Sequence, residues 1–256
     1  MNIPKFFKQV LWVLFLTALL LGVPRLAGAF ADLFDYTAID PDGAFMWISV
    51  HHIVQAVIFL ILMLVISKVS AIRFGFGWGV RQEGLAYLRL FALIYIGYVV
   101  VHRLIVLVLS GSLPVFWYPL TARNIIGQLG FQLLLTGPSE ELIFRAFAIT
   151  MLGLLLKGAV SDGEKGPGKV IATIFGGKIS VANLIAAVIF GLAHVRFTFA
   201  PFSVSFEMGQ VVVAVILGLF YGVCYERSKS MIYPMMMHSF SNVVVVSASI
   251  IAGFIG

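Results

Sequence analysis

Residues 47–67, WISVHHIVQAVIFLILMLVIS, run for 21 positions without one Asp, Glu, Lys or Arg. Coiled as a helix, such a stretch rises about 31 Å at 1.5 Å per residue, enough to cross the hydrocarbon core of a bilayer. Six more apolar stretches accompany it, near 10–30, 90–110, 124–157, 179–199, 207–226 and 231–254. The whole chain is 61% hydrophobic and 11% charged, against roughly a quarter charged in an average soluble domain. A water-soluble fold of 256 residues could not hide that much apolar surface. The pattern predicts an all-α, polytopic transmembrane bundle of seven to eight membrane helices, forming a single integral membrane domain over 1–256.

Charge patterning sets the expected orientation. Lys68, Arg73, Arg81 and Arg89 crowd the segment after the second stretch, Lys157, Lys165, Lys169 and Lys178 the loop after the fourth, and Arg227 and Lys229 follow the sixth. The 31–46 connection instead holds Asp32, Asp35, Asp40 and Asp42 with no basic residue, and 111–122 and 200–206 have none either. By the positive-inside rule the N-terminus is cytosolic. The net charge of +6 is therefore read as topology signal and anionic-lipid contact, with membrane lipids as partners and no nucleic acid. Lys5 and Lys8 ahead of an apolar run ending at Ala27-Gly28-Ala29 resemble a signal peptide; the reading adopted is a first membrane helix kinked at Pro24. The lone Cys224 excludes an intramolecular disulfide. Ser161 to Lys169, with three glycines and Pro167, is the most loop-like stretch.

The fourth stretch is too long for a simple crossing and contains Thr136-Gly137-Pro138-Ser139. Proline lacks an N–H and suits the first turn of a helix. The expectation is a broken or re-entrant helix near 124–138, followed by a helix from 138 to 157.

Ionisable groups inside spans are costly, about 2.5–3.5 kcal/mol each on insertion scales, and so are functional suspects. Of the eleven acidic residues, nine fall in loops or at span ends, Glu207 and Glu226 among the latter; only Glu140 and Glu141 lie deep. Arg145 stands four residues after Glu141, on the same helix face, where the two can pair. Glu140 is then free for chemistry. Phe190 with His194, and His238 with Asn242, repeat the four-residue spacing in later stretches. Imidazole and carboxamide donors converging on one point are what an oxyanion requires. Counted back from the basic ends at 1.5 Å per residue, Glu140, His194, His238 and Asn242 lie about 25, 22, 10 and 16 Å deep, compatible with one pocket between tilted helices. His51, His52, His102 and Arg103 are assigned to interfacial or interhelical hydrogen bonding, with Arg103 also able to meet a substrate terminus. Aromatic clusters such as Phe74-Gly75-Phe76-Gly77-Trp78 read as an interfacial belt.

Glu140-Glu141-Leu142-Ile143-Phe144-Arg145, Phe190 to His194 and His238 to Asn242 resemble, in order, the EExxxR, FxxxH and HxxxN motifs of the CAAX prenyl endopeptidase and bacteriocin-processing family of intramembrane proteases. The resemblance spans about 124–245; residues 1–123 contribute only membrane helices. It implies a glutamate-dependent endopeptidase acting on a membrane-associated or prenylated peptide. Glu140 and His194 would activate water, His238 and Asn242 would form the oxyanion hole, and Glu141, Arg145 and Phe190 would shape the site. The implied chemistry needs no cofactor. A zinc-dependent version would use Glu140, His194 and His238 as ligands. A proton-coupled transporter titrating Glu140 or Glu141, and a non-enzymatic adaptor, are the readings from other classes. Other intramembrane proteases fit poorly, because no HExxH, no aspartate within a span and no Gly-x-Ser-Gly motif is present.

Overall fold

A computed structural model describes residues 4–157, 170–174, 176–199 and 201–255; the loop-like stretch 161–169 falls outside them. Helix α1 (Lys5–Ala31), α2 (Met46–Val69), α3 (Arg81–Ser110), α8 (Met208–Ser228) and α9 (Ile232–Ile255) are each long and apolar enough to cross a bilayer. Their residues face outward to an unusual degree. Within the most apolar 18-residue window of α3 only 11% is buried, and of α2 22%. Apolar side chains that would be forced inward by water stay on the surface because lipid is as apolar as they are. The molecule is mostly helical and integral to the membrane.

Between α3 and the later helices runs a rod of helical backbone: α4 (Ala122–Phe131), a π-helical turn at Gln132–Thr136, α5 (Gly137–Glu141), a second π-turn at Leu142–Phe147, and α6 (Ala148–Lys157). The expected break at Gly137-Pro138 does not occur. Thr136 (φ −60°, ψ −60°) and Gly137 (φ −56°, ψ −54°) keep right-handed helical geometry. The missing N–H of Pro138 is absorbed by the π-turn just before it, where the hydrogen-bond ladder is already loosened. Gly137 serves a different purpose from the one expected: a Cβ there would stand 2.7 Å from the Met235 carbonyl oxygen and 2.8 Å from the Ser239 nitrogen. Its absence lets α9 lie directly against the rod.

The predicted span at 179–199 is also corrected. Helix α7 covers only Val181–Leu192, 12 residues and about 18 Å long. It is flanked by two antiparallel hairpins, β1 (Val170–Ile174) with β2 (Gly177–Ser180), and β3 (Arg196–Phe199) with β4 (Phe202–Ser205). The fold is therefore not purely helical. Ser180 caps α7 by accepting from the Asn183 N–H at 3.0 Å, the role its short hydroxyl favours at a helix start.

Two apolar clusters meet inside the bundle. One gathers Leu16 and Leu20 of α1, Phe59 and Met63 of α2, Phe144 and Phe147 of the second π-turn, and Phe190 of α7. The other gathers Tyr87, Phe91 and Tyr95 of α3, Tyr221 of α8, and Tyr233 and Met237 of α9. Phe74 belongs to the first cluster and stacks on Phe147 at 6.2 Å, so it is core rather than interfacial belt. Trp78 remains exposed beside Tyr233.

Candidate active site

The polar residues collect on the seam between the two clusters. Glu141 and Arg145 are fully buried, at 0% and 1% exposure, and the Arg145 Nε lies 3.0 Å from Glu141 Oε2. That contact is a charge pair whose angles fall short of a hydrogen bond, and Nη1 and Nη2 find no acceptor among the described residues. The guanidinium is held instead between aromatic faces, 4.3 Å from the Phe190 ring centroid and 5.3 Å from that of Tyr221. Stacking of this kind supports a buried cation that lacks acceptors. The (i, i+4) pairing read from the sequence is present, although a π-turn rather than a plain α-turn spans it.

Glu141 also reaches across to α9. Its Oε1 accepts from His238 Nδ1 at 2.7 Å, which turns Nε2 of the same ring toward Glu140 Oε2, 3.7 Å away. A carboxylate that fixes one ring nitrogen decides what the other can do. Tyr221 stacks beneath the His238 ring at 5.3 Å, and Phe190 meets its edge at 5.9 Å. The ring is thereby fixed in position as well as in proton placement.

Glu140 occupies the opening. Its side chain is 19% exposed, and it makes no hydrogen bond of its own among the described residues. Its second oxygen, Oε1, faces His52 Nε2 of α2 at 3.9 Å. His52 was assigned to interhelical hydrogen bonding because no carboxylate lies near it in sequence; the fold supplies one from the rod. The Nδ1 of His52 is 2.6 Å from the Ser139 hydroxyl and 3.2 Å from Gln55 Nε2. With the Gln55 amide donating to Nδ1, the ring proton falls on Nε2, toward Glu140. Both carboxylate oxygens thus look at an imidazole nitrogen across a gap wider than a hydrogen bond.

His194 lies in the turn just beyond α7 rather than on its face. Its Nδ1 is 2.9 Å from the Phe190 carbonyl oxygen. A carbonyl can only accept, so Nδ1 carries the proton and Nε2 keeps its lone pair. The ring stands edge-on to Phe190 at 5.0 Å. Phe190 therefore touches His194, His238 and Arg145 at once. Asn242, one turn beyond His238 on α9, is half-buried with no side-chain hydrogen bond among the described residues. Its carboxamide is uncommitted.

Among the described residues no three His, Cys, Asp or Glu side chains stand close enough together to hold one metal ion. The trio Glu140, His194 and His238 does not fit a zinc site as placed. Arg103 is occupied elsewhere: it donates to the carbonyl of Pro114 at 2.6 Å and the hydroxyl of Ser249 at 2.6 Å, tying α3 to α9. His51 packs edge-on against Trp47, and His102 lies beside Tyr98.

Residues 122–244, just under half of the chain, match the Rce1-like family model, described as type II CAAX prenyl endopeptidase Rce1-like. The matched segment contains all three motifs on which the resemblance rests. No curated protein and no solved structure matches.

Proposed function

We propose, for a chain whose segment 122–244 matches the Rce1-like type II CAAX prenyl endopeptidase family model, that it is a glutamate-dependent intramembrane endopeptidase. It hydrolyses a peptide bond of a membrane-associated or lipidated peptide. The family match supports a CAAX-protease-type membrane peptidase; the residue roles rest on geometry. The observation that carries them is the position of Glu140, partly exposed, with an imidazole nitrogen 3.7 and 3.9 Å from its two oxygens. A carboxylate already bonded to its neighbours would have no free lone pair for a water proton.

Water enters beside Glu140, which takes one proton as general base while the bare Nε2 of His194 helps orient the molecule. The water oxygen adds to the scissile carbonyl carbon. The resulting oxyanion needs donors: the amide N–H of Asn242, and the Nε2–H of His238, whose ring takes up one proton from solvent before the reaction and keeps it through the cycle. Glu141, bonded to Nδ1, holds the ring in that orientation. Collapse of the tetrahedral species breaks the C–N bond, and the proton held by Glu140 passes to the leaving amine. Arg145 does not touch substrate; it keeps Glu141 in place.

The test is cleavage by purified protein in lipid nanodiscs, with matched prenylated and unprenylated peptides. Glu140→Ala should melt like the wild type and lose about a thousandfold in rate. Wild-type cleavage by that variant refutes the assignment. Cleavage of the prenylated peptide alone would fix the substrate class.

A further inference from the structure

A second polar feature lies on the side of the bundle where α2, α6 and α8 end. There a cleft of about 1080 Å³ opens between the α2–α3 connection, α6 and the end of α8. Its walls are largely apolar, with Phe76, Ile149 and Leu154 among them, and Arg73, Lys229 and Glu226 are its charged residues. Arg73 and Lys229 are exposed. Glu226 is only 8% exposed. One of its oxygens accepts from the Ser180 hydroxyl at 2.6 Å; the other, Oε2, is buried with no hydrogen-bond partner among the described residues.

An unfilled acceptor on a buried carboxylate is costly unless something supplies a donor. Lys68 in the last turn of α2, Lys157 ending α6 and Arg227 near the end of α8 mark this as the level where membrane helices meet lipid headgroups. We propose that the cleft binds the headgroup of an aminoethyl phospholipid. The primary ammonium donates to Glu226 Oε2 at the back of the cleft, the phosphate lies between Arg73 and Lys229 at the mouth, and the acyl chains leave along Ile149 and Leu154. The buried carboxylate and the two exposed cations match the order of ammonium and phosphate in the headgroup. A quaternary amine has no N–H to donate, and a glycerol headgroup has no cation. The cleft is separate from the proposed catalytic residues but linked to them: the Tyr225 hydroxyl, at its wall, bonds Thr150 at 2.8 Å and the Ala146 carbonyl at 3.4 Å, next to Arg145.

Native mass spectrometry of the detergent-purified full chain, titrated separately with phosphatidylethanolamine, phosphatidylcholine and phosphatidylglycerol, reads the preference directly. Wild-type protein should retain phosphatidylethanolamine at least about tenfold better than phosphatidylcholine, the value of one charge-assisted hydrogen bond. Glu226→Gln keeps an acceptor for Ser180 and should erase that ratio. Arg73→Gln, at an exposed position that leaves the core intact, should weaken phosphatidylethanolamine and phosphatidylcholine alike. Equal retention of the two lipids by wild-type protein, or an undiminished ratio in Glu226→Gln, overturns the proposal. Equally tight binding of soluble phosphoethanolamine overturns the lipid as its source.

Discussion

His52 illustrates how far a single residue's role depends on its neighbours in space. From the sequence it is one histidine in an apolar run, 88 positions before Glu140. In the fold its ring is gripped by Ser139 and Gln55, and its other nitrogen looks at the Glu140 carboxylate. The Ser139 contact is notable because that serine sits one residue before the glutamate pair and is itself buried. A positioning role follows. His52→Ala should lower kcat by about tenfold or more while leaving KM little changed, since the loss falls on the reacting geometry and not on substrate binding. Steady-state kinetics of the variant decide it; an unaltered kcat would make His52 a packing residue only. The signal that could have found it was the same rule that found Glu140, namely that an ionisable side chain within a span is a functional suspect. The carboxylate partner of His52 is close in space but 88 positions away along the chain.

Among the elements, the long apolar helices were the easiest to read. Boundaries expected near 47–67, 207–226 and 231–254 correspond to helices at 46–69, 208–228 and 232–255, because hydropathy over twenty residues averages out local ambiguity. The rod at 122–157 and the segment around α7 were misread for two physical reasons. Proline and glycine signal a break in isolation, yet π-turns can accommodate them without one. The apolar residues at 179–199 belong to a short helix and parts of two hairpins, and hydropathy alone does not distinguish one continuous span from an apolar helix that stops short and turns into strands. His194 was consequently found, but on the wrong kind of backbone. The start of α2 shows a subtler case. Asp40, 3% exposed, accepts from the backbone N–H groups of Ala44, Phe45 and Met46, capping the helix from a loop position. Burial pushes its carboxyl upward, but those three N–H bonds, with help from Arg123, outweigh burial and hold it below the ordinary 3.8. A lowered native value means that this stabilisation is complete above pH 3.8 and fades as pH falls through the native value. Asp40→Asn should therefore lower the melting temperature at pH 7, by about 1–2 kcal/mol in stability. That gap from wild type should close at acid pH; a pH-independent gap would show that charge is not the cause.

At the scale of the whole molecule, the Glu141–Arg145–His238 group is where the two apolar clusters are joined. The rod supplies the first two residues and α9 the third, with Phe190 from one cluster and Tyr221 from the other clamping the guanidinium. Removing only the cation leaves a buried carboxylate with half its partners. Arg145→Ala should destabilise the protein by about 3–5 kcal/mol and lower its melting temperature in detergent. Pairing it with Glu141→Gln should recover a large part, because the stranded charge is then gone. If the single variant melts like wild type, the ion pair contributes nothing to holding the clusters together. The four-residue spacing pointed to this pair, and motif order singled out Glu140, His194, His238 and Asn242 as the residues whose roles are proposed above. The sequence could not disclose that one phenylalanine would touch three of these groups, since that depends on how α7 leans against α8 and the rod.

The paired π-turns that bracket Gly137–Glu141 have a further meaning. Each houses one more residue than an α-turn would, and in a plain helix every residue advances the side-chain direction by about 100°. The two glutamates therefore owe their outlook to an insertion-like offset on either side of them. A chain shortened by a single position after Arg145 within 142–147 could close that turn into a plain helix with the residues beyond it keeping their faces, whereas the same loss from α6 would swing everything after it by about 100°.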